Sequence, residues 1–212
     1  MQTRDPQQPG YVVPRVLRRS SIVCRRCYRL YHYGAWDLVG HKSESCWQSM
    51  MEVLRKDCLV IHLIDLLDIS GSWIPNLAGM LGCHRLWLVG NKMDLLPTRT
   101  FPDRVKGFLY KEASSRGLKP ESIHICSGRM GQGMGRLRKL LQEPANGKRI
   151  CVVGTTNVGK STWINCLLAP KSCLPLSVSA YPGTTLGNVR IPWGNGGSLY
   201  DTPGIVRSDR IQ

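Results

Sequence analysis

Four residues at fixed spacing open the chemistry of this chain: Gly154, Gly159, Lys160 and Ser161 in "GTTNVGKS", a G-x-x-x-x-G-K-[ST] pattern. The glycines let backbone N–H groups approach an anion closely, the lysine reaches the β- and γ-phosphates, and the hydroxyl after it binds Mg²⁺. Such a loop cradles a nucleoside triphosphate. Its expected contacts are Gly154, Asn157, Val158, Gly159, Lys160, Ser161 and Thr162. The pattern stands between the apolar run "RICVV" and the helix-forming run "GKSTWINCLL", which puts the phosphates at the positive end of a helix.

Two later stretches fit the same chemistry. "DTPG", residues 201 to 204, follows the apolar run "SLY"; there Asp201 can hold a Mg²⁺-bound water and the Gly204 N–H can sense a γ-phosphate. Between the two, "YPGTT" offers Thr184 or Thr185 to complete the Mg²⁺ shell, and spacing does not choose between them.

An earlier stretch, "GNKMD" at 90 to 94, has the residue types that read guanine. The Asp94 carboxylate accepts from guanine N1–H and the 2-amino group, a donor pair adenine lacks. Asn91 supports the loop and approaches the other edge of the base, while the Lys92 stem packs along the ring. "CSG" at 126 to 128 ends the next apolar run, so Ser127 and Gly128 form a second base loop, with the Gly128 N–H directed to the base.

The elements that must position these residues are legible as well. "CLVIHLID", "RLWLVG", "SIHICS" and "RICVVG" are short continuous apolar runs, as strands covered on both faces require. Residues 103 to 116 and 133 to 143 have helical composition, so strands alternate with helices and a parallel α/β sheet is expected. "NVRIPW" and "GSLYDTP" form an antiparallel pair around "GNGG", giving six strands in all. The base motif precedes the phosphate loop, the reverse of the ordinary GTPase order. Cutting that order between the metal-side strand and the strand before N-K-x-D reproduces this chain, so the expected fold is a circularly permuted P-loop GTPase domain. Permutation is tolerated where old termini lie close together at the surface.

Composition narrows the partners. Lys and Arg number 29 against 14 Asp and Glu, a formal charge of +15, which favours a polyanion such as RNA. Arg15, Arg18, Arg19, Arg25, Arg26 and Arg29 are interleaved with Tyr28, Tyr31 and Tyr33, rings able to stack on unpaired bases. Residues 1–50 therefore read as a basic segment and 51–212 as the GTPase domain. Nine cysteines, several inside apolar runs, suit a reducing compartment. No apolar run approaches the roughly 18 residues a membrane span needs, so no membrane partner is expected.

"PGYVVP", "CRRCYRLYHYG", "IDLLDISGSW", "LVGNKMDLLP", "TNVGKSTWIN", "PGTTLG" and "YDTPGI" together resemble the circularly permuted GTPases of the ribosome-assembly class, most closely the YqeH type. The resemblance implies GTP and GDP as ligands, Mg²⁺, slow hydrolysis, and help to small ribosomal subunit assembly through rRNA contact. It implies a cytoplasmic location in a bacterium, or the mitochondrial matrix or plastid stroma. Ile205 stands where Ras-like GTPases carry the glutamine that orients water, so the transition state needs another stabiliser. The resemblance supplies K⁺: Asn157 matches the position that coordinates it in K⁺-activated relatives, which makes Asn157, Lys160, Thr184, Thr185 and Gly204 the catalytic set.

Two departures qualify the match. The YqeH type carries a zinc finger built from two C-x-x-C pairs, and only Cys24 and Cys27 are present, with His32 and Cys46 as the substitutes within reach. Two thiolates alone do not make a structural Zn²⁺ site. The expectation is that the first pair lies upstream of Met1, and that the chain, stopping at Gln212 without the helix and the C-terminal RNA-contacting domain of the YqeH type, is a fragment or a truncated gene product. Two alternatives stand beside the GTPase: an RNA-binding module with a vestigial or non-hydrolysing nucleotide site, and a P-loop ATPase or kinase if "GNKMD" is accidental.

Overall fold

The computed structural model describes residues 43–143, 149–168, 188–194 and 196–205, with the side chains of α1 described from Trp47. The chain divides into two compact units, Met1–Lys42 and Ser43–Gln212, and every described residue belongs to the second. Cys24, Cys27, His32, the arginine–tyrosine stretch, Thr184 and Thr185 lie outside the described residues, as does the Cys46 side chain.

In chain order the elements are α1 (Ser43–Leu54), β1 (Leu59–Asp65), α2 (Ile69–Ser72), α3 (Leu77–Leu81), β2 (Arg85–Asn91), a 3₁₀ turn (Met93–Leu95), α4 (Pro102–Ser115), β3 (Ser122–Ile125), α5 (Met134–Gln142), β4 (Arg149–Val153), α6 (Lys160–Leu168), β5 (Val189–Trp193) and β6 (Gly197–Asp201). All six expected strands are present, in one sheet of order β3-β2-β1-β4-β6-β5. All pairings are parallel except β5 with β6.

Burial explains the sequence pattern. β1, β2 and β4 are buried along almost their whole length, because helices cover both faces of the sheet. The side chains of β1 alternate between two cores. Val60 and Ile64 pack with Met50, Val53, Trp73, Leu77, Leu109 and Ala113, from α1 to α4 and the turn between α2 and α3. Leu59, Ile61 and Leu63 pack with Leu137, Leu141, Trp163, Ile164 and Leu167 of α5 and α6. The edge strand β5 instead alternates exposed and covered positions, and it tolerates Pro192, whose missing N–H would break an interior ladder.

Helix α1 is continuous through position 50 and buries Met50, Val53 and Leu54, so the compact unit takes in residues assigned from sequence to the basic segment. Apolar Trp47, Met50 and Leu54 recur there at helical spacing. Helices α2 and α3 lie in a Ser-, Gly- and Pro-containing stretch that gives no helical period. Asp68 starts α2 by accepting the Gly71 N–H at 3.1 Å. As expected of small hydrophobes, Cys58, Cys126 and Cys151 are buried and free.

Candidate functional site

Parallel strands aim their C-terminal ends at one edge of the sheet, and the motifs lie there: Asn91 closes β2, Gly154 follows β4, and Asp201 closes β6. The phosphate loop turns out of β4 through Gly154, where an added Cβ would stand 2.9 Å from Val158 Cγ2 and 3.0 Å from the Leu63 carbonyl. It then passes Asn157 at φ 64° and Gly159 at φ 89° before α6 begins at Lys160. Asn157 adopts this left-handed conformation at an exposed loop tip, which leaves its side chain facing solvent.

Lys160 is only 7% exposed, and its ammonium donates to the carbonyls of Gly154 at 3.0 Å and Thr155 at 2.9 Å. The lysine thus lies curled over the loop it serves. The Ser161 hydroxyl donates to Asp201 Oδ2 at 3.2 Å across 40 positions of chain. Register brings them together: β6 runs beside β4 with Val152 opposite Asp201. Two oxygens so placed fit Mg²⁺, a hard cation that takes oxygen ligands and keeps several waters. Thr162 follows in the first turn of α6, half-buried.

The "DTPGI" segment is laced to the phosphate loop. Thr202 Oγ1 donates to the Val152 carbonyl at 2.8 Å, Ile205 N–H to Gly154 O at 3.2 Å, and Thr156 N–H to Ile205 O at 3.1 Å. Gly204 is pinned between them: a Cβ there would meet Lys160 Nζ and Thr156 Cγ2 at 3.0 Å. The Ile205 side chain, 2% exposed, belongs to the core with Val153 and Met50.

At the base loops, Asn91 is 3% exposed and bonded through both ends of its amide. Its amide nitrogen donates to Val158 O of the phosphate loop at 2.9 Å, and its oxygen accepts the Gly128 N–H at 2.9 Å. Lys92 takes φ 68° and pairs with Asp65 Oδ2 at 2.6 Å. The Asp94 Oδ1 atom is buried with no hydrogen-bond partner among the described residues. A carboxylate oxygen left without a donor is costly, and guanine's adjacent N–H groups fit that demand.

The second base loop differs from its sequence reading. The Gly128 N–H does not wait for the base; it is taken by Asn91. Ser127 is fully buried, and its hydroxyl accepts the Met130 N–H at 2.9 Å. Buried N–H groups demand partners, and the protein supplies them here before any ligand does.

Two neighbours of these loops, Trp163 and His62, carry no motif. Trp163, fully buried on α6, donates its indole N–H to Cys126 Sγ at 3.2 Å, tying the phosphate helix to the base loop. That loop leans on the helix so closely that a Cβ on Gly128 would stand 2.8 Å from Trp163 Cα. Burial pushes the Cys126 thiol up to about 12, so it stays protonated. His62, on β1 beside Val153, is wholly buried, and burial lowers its pKa to about 4, with the nearby Lys160 charge acting the same way. Neutral His62 donates Nε2–H to Ser72 O at 3.1 Å and meets the Trp73 ring edge-on at 5.4 Å, fastening α2 behind the phosphate loop. Only the bulk and polarity of Trp163 and His62 inside apolar runs signalled them in sequence.

With this geometry in view, comparison with known proteins becomes informative. The chain is 36% identical over 213 residues to Uncharacterized protein YqeH of Bacillus subtilis, matching all of this chain and 58% of that one. The permuted order of base and phosphate elements is present in the sheet itself. The chain is similar to the YqeH-type circularly permuted GTPases. It is also 28% identical over 235 residues to NO-associated protein 1, chloroplastic/mitochondrial, of Arabidopsis thaliana, covering 97% of this chain and 42% of that relative. Residues 149–212 match the family model described as 50S ribosome-binding GTPase. Among solved structures, YjeQ from Thermotoga maritima aligns at a TM-score of 0.46 with 25% identity, over 71% of this chain and 48% of that one. The chain thus spans about half the length of the curated relatives it matches.

Among the described residues no cluster of three His, Cys, Asp or Glu is arranged to hold a metal. None of the described helices is long and apolar enough to cross a membrane.

Proposed function

We propose that this chain is a GTP-binding and slowly hydrolysing switch that assists ribosome assembly through rRNA contact, at the small subunit. The observation that carries the nucleotide part is Asn91, which bonds both the phosphate loop and the second base loop, and so joins the two halves of the site in the permuted order. Asp94 is assigned the base, Lys160 the β- and γ-phosphates, and Gly204 N–H the γ-phosphate. Ser161 and Asp201, with Thr184 or Thr185, are assigned Mg²⁺, which when bound neutralises developing phosphate charge.

Ile205 is held in the core, so no side chain at that position orients water. Exposed Asn157 at the loop tip is assigned K⁺, a cation that takes the place of an arginine finger. The +15 charge supports the RNA part. One relative from a bacterium and one named chloroplastic/mitochondrial support a location in the cytoplasm of a bacterium, or in the mitochondrial matrix or plastid stroma.

A fluorescent nucleotide titration tests the base assignment. GTP binds in preference to ATP, and Asp94→Asn weakens GTP while improving xanthosine triphosphate, whose altered edge suits an amide. Preference for ATP, or unchanged base preference in the variant, sinks the GTP reading. Phosphate release is faster in KCl than in NaCl; no release in either salt, with RNA binding kept, would favour the non-hydrolysing RNA module. Because the matching family model names the 50S subunit, sedimentation with separated subunits decides between small and large.

A further inference from the structure

Helix α4 buries Leu109 and Ala113 and leaves a long face in solvent. Along that face Phe101, Arg104, Phe108 and Lys111 follow each other at steps of three and four residues, which forms one stripe. Phe101 is 63% exposed and Phe108 49%, with the Arg104 guanidinium 5.1 Å from the Phe101 ring centroid. Neither ring is part of the two cores.

Charge sorts along the same stripe. The helix's two carboxylates are already engaged, Asp103 with Lys106 at 3.0 Å and Glu112 with Arg116 at 2.7 Å. Arg104 and Lys111 make no ion pair with the described residues, so their charge stands uncompensated between and beside the rings. Gly107 borders them, and a Cβ there would meet nothing within 4 Å, leaving bare helix next to the cations. A mid-helix glycine with open space above it destabilises the helix relative to alanine and gains no packing.

Protein–protein interfaces also favour Phe and Arg, but their buried cores are depleted of lysine and of charge without a partner. Here aromatic rings alternate with cations that have no carboxylate partner among the described residues, Arg104 lying over one face of Phe101, on a strongly basic chain. That alternation matches single-stranded nucleic acid, whose bases stack on exposed rings while the phosphates meet Lys and Arg. We propose that the Phe101–Arg104–Phe108–Lys111 stripe of α4 binds single-stranded RNA, bases on the two phenyl rings and phosphates on the two cations. The proposal rests on the RNA-contact reading above and is independent of the nucleotide site.

The test is titration of the full chain with a labelled single-stranded oligoadenylate, and with the same strand annealed to oligouridylate. The single strand binds better than the duplex. Phe101→Ala with Phe108→Ala raises the single-strand Kd roughly tenfold or more. Arg104→Gln with Lys111→Gln lowers the slope of log K against log salt by about 0.7 for each cation removed. Tyr110→Ala, an equally exposed ring off the stripe, changes nothing, and all variants keep wild-type melting curves and GTP affinity. If the wild type binds no RNA, the RNA-contact reading falls and this proposal with it. If it binds and the stripe variants bind equally well, only the stripe is refuted. Self-association lost in the phenylalanine variants, without an RNA effect, would assign the face to a second copy of the chain.

Discussion

Asn91 and Val158, 67 positions apart, are joined by a 2.9 Å hydrogen bond from a buried side-chain amide to a loop carbonyl. The other end of the same amide holds Gly128, so one side chain sets the distance between the phosphate loop and the second base loop. Asn91→Ala leaves a buried carbonyl and a buried N–H unpaired. Stability falls by roughly 2–4 kcal/mol, about 1–3 for each orphaned group, less what water recovers. Nucleotide affinity falls with it, because the loops lose their common brace. Thermal melts and a fluorescent GTP titration check both; an unchanged affinity in a folded variant would show that the loops are braced elsewhere.

Gly128 supplies a test by shape. Gly128→Ala drives a methyl against the α6 backbone at Trp163, where no side-chain rotation relieves the contact. The expected cost is about 1–3 kcal/mol together with weaker nucleotide binding. Gly135→Ala, at an exposed position of α5 with nothing within 4 Å, makes the same chemical change and is expected to stabilise by about 0.4–1 kcal/mol. Opposite shifts in melting temperature are the signature.

His62 makes stability depend on pH. Its pKa is lowered from 6.5 to about 4 in the folded chain, so the native state favours the neutral ring and the unfolded chain binds the proton first. The contribution is complete above pH 6.5 and is lost as pH falls from there through about 4, on the order of 3 kcal/mol over the window. His124, lowered to about 4 chiefly by burial, adds in the same direction. His62→Gln keeps a donor for the Ser72 carbonyl and removes the titration. Denaturant midpoints measured between pH 4 and 7 should therefore flatten in the variant.

Ile205→Gln puts the residue type of Ras-like enzymes at the expected place, yet the side chain there points into a core. The amide is buried and the packing lost, for roughly 2–5 kcal/mol, and GTP turnover is not accelerated. Single-turnover phosphate release compared with melting curves checks this; faster turnover would mean that position 205 reaches the nucleotide.

How much of this was legible beforehand depended on how local each signal is. Four strands were readable because "CLVIHLID" and its counterparts are continuously apolar, and the last two because a Gly-rich turn separates "NVRIPW" from "GSLYDTP". Asp94, Lys160, Ser161 and Asp201 were readable because their motifs stand at strand ends. What sequence could not show were the interior partners. The Gly128 N–H can face a base or a side chain, and only the arrival of Asn91 from 37 positions away decides. The bond from Trp163 to Cys126 spans the same separation, and within an apolar helix a tryptophan looks like any core residue. Helices α2 and α3 stayed hidden because they depend on the Asp68 cap, His62 and Trp73 instead of their own weak periodicity.

The strand order β3-β2-β1-β4-β6-β5 has a seam between β1 and β4. On one side every strand comes from the earlier part of the chain, and on the other every strand comes from the later part. In an emerging polypeptide the half bearing Asn91 and Asp94 can therefore assemble as a local unit while the half bearing Lys160 and Asp201 is still being synthesised. Asn91 projects across that seam to Val158, so docking of the late half onto the early one and completion of the nucleotide cleft are the same folding event.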